Sequence, residues 1–343
     1  MPLKMPFEHP LSSDYNYCVF PDEVESFVAA IKGAPELTVD VFSQYSGHLV
    51  YAFTLTDPNI SRSEKQAMFV SRPHAHEPAG TAAMVELARA LLGDGIYHDM
   101  DDMWRKDILS RFVITLVPDA NPFGSHRAPV KFWDGSEIPN EKFFLWMFGE
   151  SGEKAGQRFP RVAHWDKREV TPPALLGIAY EQIDAQTYVE PNRDYRSTFF
   201  RSFFELDKRY KYDVWLDLHQ TEFINSDRNA EVHLPTCYDD LSDELQAKHR
   251  ALGEALHRRW RASGAVPKDK PQVPYRNNDI QRNFLTAVWL PISSRLVHLV
   301  TEVQNNHGKT PVSNQVYFQG VAMLETLDWM VHGHENTLNV NIL

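Results

Sequence analysis

Four short, mainly apolar runs constrain this chain most: Ala67–Val70, Phe112–Val117, Asp213–Leu218 and Val297–Val303. Each has the length of a strand, and a strand that is apolar at successive positions is buried on both faces. Between them lie stretches with helical period. Gly80–Leu92 places Met84, Leu87, Leu91 and Leu92 on one face, and Gly93 stops it. Tyr195–Lys208, Leu241–Ser263 and Gln315–His332 read as further helices. Upstream, Pro21-Asp22-Glu23-Val24 opens a helix with Val24, Phe27, Val28 and Ile31 inward, ended by Gly33. Val39–Tyr45 and His48–Leu55 read as a hairpin around Ser46-Gly47. Strands alternating with helices predict an α/β fold, a mixed central sheet covered by helices on both faces.

The 343 residues are 43% apolar and 24% charged, enough for a substantial core and ordinary for a globular chain. We read residues 1–343 as a single domain. The segment 125–185 reads as an insertion, because it is long, weakly periodic and rich in aromatics such as Trp133, Phe143, Phe144 and Trp165. It is expected to cover the cleft and to favour a small substrate. A net charge of −11 argues against a nucleic-acid partner, since such binding needs clustered Lys and Arg. No apolar run approaches the ~20 residues that span a bilayer, so no membrane partner is expected. Met1–Asn16 lacks the pattern of a secretory leader. Cys18 and Cys237 read as free thiols, and the expected location is the cytoplasm. Oligomeric state is not legible in the sequence.

The chemistry-bearing residues sit at strand ends, where open α/β sheets bind ligands. Arg72-Pro73-His74-Ala75-His76-Glu77-Pro78 lies between the first buried run and a helix start. Two imidazoles and a carboxylate in four residues suit a metal such as zinc. His74 and Glu77 are three apart and can share one side of a turn. His76 would then face the substrate or stand behind the ligands. Pairing His74 with His76 on a strand is the other reading, and Pro73 and Pro78 argue against a continuing strand there. The third apolar run leads directly into His219, and the fourth places a single acid, Glu302, among apolar neighbours. A buried lone glutamate adds nothing to stability, so it signals either an ion pair or chemistry.

His-x-x-Glu at a strand end, Asn121-Pro122, Asn192-Arg193, a strand ending Asp217-Leu218-His219 and a strand-borne Glu302 follow in that order. In order and rough spacing this resembles the zinc metallocarboxypeptidases, from about Pro21 to Met330. The resemblance implies a zinc carboxypeptidase-like αβα sandwich and one Zn2+ per chain, held by His74, Glu77 and His219. It implies Glu302 as general base, Asn192 and Arg193 as the grip on a substrate carboxylate, and Glu190 as the acid orienting His74. Phe123 stands where the family has an acid. The family arginine that polarises the scissile carbonyl is sought among Arg158, Arg161 and Arg168, and Arg168 is our choice. Tyr275 is the nearest candidate for the family's substrate-binding tyrosine. The apolar neighbourhood Leu285–Trp289 leans against a Lys/Arg-specific pocket. The implied substrate is a small peptide or an N-acyl amino acid. The alternatives are a deacylase of the succinylglutamate desuccinylase/aspartoacylase kind and a non-catalytic zinc-binding protein on the same fold.

Overall fold

A computed structural model describes residues 9–98, 102–224, 226–275 and 277–336. Residues 1–8 of the stretch read against a leader lie outside that description. The main elements in chain order are α1 (Pro21–Ile31), β1 (Leu37–Ser43), β2 (Leu49–Leu55), β3 (Gln66–Ser71), α2 (Pro78–Leu92), α3 (Asp102–Arg111), β4 (Phe112–Val117) and α4 (Asn140–Phe148). There follow α5 (Thr198–Tyr210), β5 (Val214–Thr221), β6 (Ala230–His233), α6 (Asp243–Ala262), α7 (Ile280–Ser293), β7 (Val297–Gln304) and α8 (Val312–Asn336). The seven strands form one sheet in the order β1-β2-β4-β3-β5-β7-β6. The pairs β4–β3, β3–β5 and β5–β7 are parallel, while β1–β2, β2–β4 and β7–β6 are antiparallel.

The central strands carry apolar residues toward both faces because both faces are covered, and most of their polar residues gather toward the ends of β5 and β7. On β3, Met68 and Val70 join a cluster with α1, α2, α6 and α8, while Ala67 and Phe69 join a second cluster with α5 and α7. On β5 the same alternation sends Leu216 and Leu218 to the first layer and Trp215 to the second. Period-two alternation therefore sets His219 and Asp217 on the Trp215 side. The hairpin closes as expected, with Gly47 at φ 86° in the turn, a conformation that suits glycine. The described residues contain no helix long and apolar enough to cross a membrane. Cys18 and Cys237 are buried free thiols.

Segment 125–185 carries α4 and, together with Thr187–Val189 just beyond it, forms two small sheets. One pairs Gly149–Glu150 with Leu175–Leu176. The other sets Thr187–Val189 between His164–Asp166 and Glu181–Gln182. Its aromatics form two small clusters, one with Trp133 against Phe143 and one with Trp165 stacked on Tyr188. These strands are two or three residues long, too short for a periodic signal.

Helix α6 is tied to the sheet by two buried histidines. His249 Nε2 accepts from the His298 amide at 3.0 Å, and His257 Nε2 accepts from the Val232 amide at 3.1 Å. Burial pushes each down to about 4. Their folded values lie below an unfolded value near 6.5, so the unfolded chain binds more protons between those limits. Their contribution is complete above pH ~6.5 and is lost as pH falls toward 4, at roughly 3 kcal/mol apiece. The melting temperature is expected to drop across that window. The double variant His249→Gln, His257→Gln keeps an acceptor at each site, and its profile should be flatter. Equal acid sensitivity in the variant would place the effect elsewhere.

Candidate metal and active site

The ends of β3, β5 and β7 open on a cavity of about 490 Å³ that contains the motif residues. After β3 the chain makes a turn in which the Glu77 amide donates to the His74 carbonyl at 3.1 Å, and Pro78 begins α2. Arg72, fully buried, holds this turn. It donates to the His74 carbonyl at 2.9 Å and pairs with Asp119 at 3.1 Å. The sheet brings His219, at the end of β5, against the turn.

Three donor atoms converge there. His74 Nδ1 is 3.2 Å from Glu77 Oε1 and 3.1 Å from His219 Nδ1, and His219 Nδ1 is 3.1 Å from Glu77 Oε2. Ligands on one tetrahedral zinc at 2.0–2.1 Å stand about 3.3 Å apart, so the triangle has the span of three ligands on a single ion. Two imidazole nitrogens and a carboxylate are a zinc-type donor set, and the three residues are the metal-compatible group among the described residues. The outer nitrogens are braced. Asp217 Oδ2 is 2.8 Å from His219 Nε2. Glu190 Oε1 is 3.3 Å from His74 Nε2, within ion-pair reach though not aligned as a hydrogen bond. Such partners fix the ring orientation a ligand needs. Burial alone would raise the Glu77 carboxyl, but His219, His74 and His76 outweigh it and hold it well below the usual range. Burial opposes charge on His219, and Glu77 and Asp217 reverse that.

His76 is outside the triangle. Its ring stacks on His74 with centroids 5.1 Å apart, and its Nε2 is 3.3 Å from Glu77 Oε1. Burial lowers it to about 4, so it is neutral. Glu302 lines the same cavity from β7, opposite His219 in the parallel register. Its Oε2 has no hydrogen-bond partner. Burial raises its carboxyl well above the usual range; His219 opposes this, and Glu77, Glu231 and Glu222 add to it.

A cationic wall faces these groups. Glu190 receives Arg161 Nη2 at 2.7 Å and is bonded to Arg193 Nη1. Burial works against its ionisation, and Arg161 and Arg193 outweigh it. Arg193 also donates to Asn192 Oδ1 at 2.6 Å and to Gln281 Oε1 at 3.0 Å. The Tyr275 hydroxyl lies 3.4 Å from both Arg161 and Arg193. Tyr275 holds φ 64°, a backbone conformation that a tyrosine rarely adopts and that the surroundings must impose. Phe144, Met147 and Phe148 of α4, with Arg158 and Arg161, bring the 125–185 segment to the cavity wall.

The structure corrects one residue. Arg168 is 71% exposed, clasps Asp166 through its Nε and Nη2 at 2.9 and 2.5 Å, and lies outside the cavity. It follows the strand His164–Asp166 in a turn that faces solvent. Arg161, passed over in the sequence, takes the inward position. The other expected residues, His74, Glu77, Asn192, Arg193, His219, Tyr275 and Glu302, all line the cavity, with Glu190 buried behind them.

The sequence matches no protein-family model and no curated protein. Solved structures do resemble the fold. A metallo-carboxypeptidase from Burkholderia cenocepacia superposes with a TM-score of 0.56 at 13% identity, over 92% of this chain and 69% of that one. A metallo-carboxypeptidase from Pseudomonas aeruginosa gives 0.54 at 13% identity, over 90% and 68%. Thrombin activatable fibrinolysis inhibitor gives 0.54 at 12% identity, over 92% and 74%. The chain therefore has the metallo-carboxypeptidase fold.

Proposed function

We propose that this protein is a zinc-dependent metallocarboxypeptidase, a hydrolase that cleaves the amide next to the C-terminal residue of a small peptide or an N-acyl amino acid. The observation that carries the reading is one cavity bordered by a zinc-type donor triangle, a carboxylate with an unpartnered oxygen, and paired guanidiniums. A zinc ion held by His74, Glu77 and His219 would polarise the scissile carbonyl and lower the pKa of a water toward ~7. Glu302 takes a proton from the attacking water and passes it to the leaving amine. Arg161 and Arg193 outnumber Glu190, so the wall keeps a net positive charge for a substrate carboxylate. The planar fork of arginine suits that carboxylate, and Asn192 sits beside it. Arg161 replaces Arg168 as the arginine positioned to stabilise a developing oxyanion.

Peptides with free and amidated C-termini test the exopeptidase claim. Free peptides should lose residues stepwise from the C-terminus in mass spectra, and amidated ones should be poor substrates. Arg193→Ala should retain metal, because Glu190 keeps Arg161 as its partner. The variant should lose about 2–4 kcal/mol of transition-state binding on free peptides and much less on amidated ones. Release of an acyl group and nothing else would replace this reading with a deacylase. Equal losses on both peptide forms would make Arg193 a structural residue.

A further inference from the structure

Beyond Glu302 the cavity wall carries polar side chains that hydrolysis as described does not use. Strands β6 and β7 pair antiparallel, with Glu231 directly opposite Glu302 and His233 opposite Val300. Ala230 and Val232 enter the core, so Glu231 and His233 face the cavity. Two carboxylates directly across a ladder repel each other. His233 lies between them. Its Nε2 is 2.9 Å from Glu231 Oε1, and its Nδ1 is 3.8 Å from Glu302 Oε1.

The far end of this chain is anchored. Gln272 donates to Glu231 Oε2 at 2.9 Å, and Lys268 pairs with the same oxygen. Burial would raise Glu231, but His233 and Lys268 bring it down to about 2. Glu231 Oε1 accepts from His233 Nε2–H, and holding the Glu302 carboxylate needs a second proton on Nδ1, so the ring serves as an imidazolium set between two carboxylates. The 3.8 Å gap is ion-pair reach, and a small side-chain rotation closes it to a hydrogen bond. Among the described residues, His233 is the basic side chain paired with Glu302.

We propose that His233 is a positioning residue for Glu302. Braced by Glu231 and Lys268, it holds Oε1, so that Oε2 is the oxygen that gains and gives up the proton. The inference rests on Glu302 as the general base. His233 takes no net proton in the cycle.

Steady-state kinetics on a free-C-terminus peptide and nitrogen NMR of the zinc-loaded protein test this together. His233→Ala should lower kcat about 10- to 100-fold, with KM within about twofold. His233→Gln keeps a polar group within reach and should recover part of the loss, whereas His233→Phe should not. In the otherwise native protein, Glu302→Gln should shift the His233 Nδ1 resonance, a readout that needs no substrate. A raised KM with unchanged kcat would make His233 a substrate contact and overturn the proposal. An Nδ1 resonance indifferent to Glu302→Gln would overturn it as well. If the native enzyme cleaves no peptide, the peptidase reading fails, and the nitrogen shift still decides whether His233 and Glu302 are coupled.

Discussion

Glu302→Gln is expected to retain zinc and fold while losing a factor of about 10²–10⁴ in turnover, the usual worth of a general base. Glutamine keeps the size of the side chain and removes the basic oxygen. The native carboxyl has one buried oxygen with no partner, and its closest basic neighbour among the described residues is His233 at 3.8 Å. Ionising such a group costs the fold energy, so the neutral amide should leave the melting temperature unchanged or raise it. A structural ion-pair partner would behave in the opposite way: removing it would cost several kcal/mol of stability and leave each folded molecule active. Turnover per zinc-loaded, folded molecule separates the two. Near-native turnover would remove the proton-transfer role and the hydrolytic mechanism with it.

The sequence was most legible where one physical rule acted alone. Burial on both faces puts apolar residues on successive positions in β3, β4, the first half of β5 and much of β7, and the strands emerge within a few residues of their observed ends. Strand β6 was not found because only Ala230 and Val232 of its four residues are apolar, while Glu231 and His233 face the cavity. Alternation over four residues is too short to separate from a loop. Helix α7 was hidden by Pro291 in its last turn, although Leu285, Val288, Trp289 and Ile292 do form its buried face. The metal triangle was legible because His74 and Glu77 are local and His219 ends a strand, so sheet formation alone unites them. Arg168 was not decidable in the same way. Which arginines of a segment with two- and three-residue strands reach the cavity depends on tertiary pairing, and Arg158 and Arg161 do while Arg168 does not. Arg161 is pulled in by buried Glu190, and Arg168 is held at the surface by Asp166. Sequence spacing does not encode that choice.

The ligand triangle predicts a pattern of metal loss that a general weakening of the fold would not produce. Purified protein should bind about one zinc per chain, and His74→Ala, Glu77→Ala and His219→Ala should each leave it nearly zinc-free after dialysis and inactive. Each change removes one of three protein donors, and a catalytic site has no fourth to substitute for it. His76→Ala should keep its zinc, because His76 touches Glu77 and stacks on His74 from outside the triangle. Asp217→Asn should fall between these extremes, weakening zinc affinity about 10- to 100-fold, since its carboxylate orients His219 and accepts from Ser71 but is no member of the triangle. The scaffold around the turn is independent of the ion. Arg72 is held by Asp119, Thr81 and the His74 carbonyl, so the ligand variants should remain folded. Metal analysis beside circular dichroism reads both properties at once. Loss of zinc in His76→Ala with retention in Glu77→Ala would mean that His74, His76 and His219 are the ligands, and the triangle would have to be redrawn.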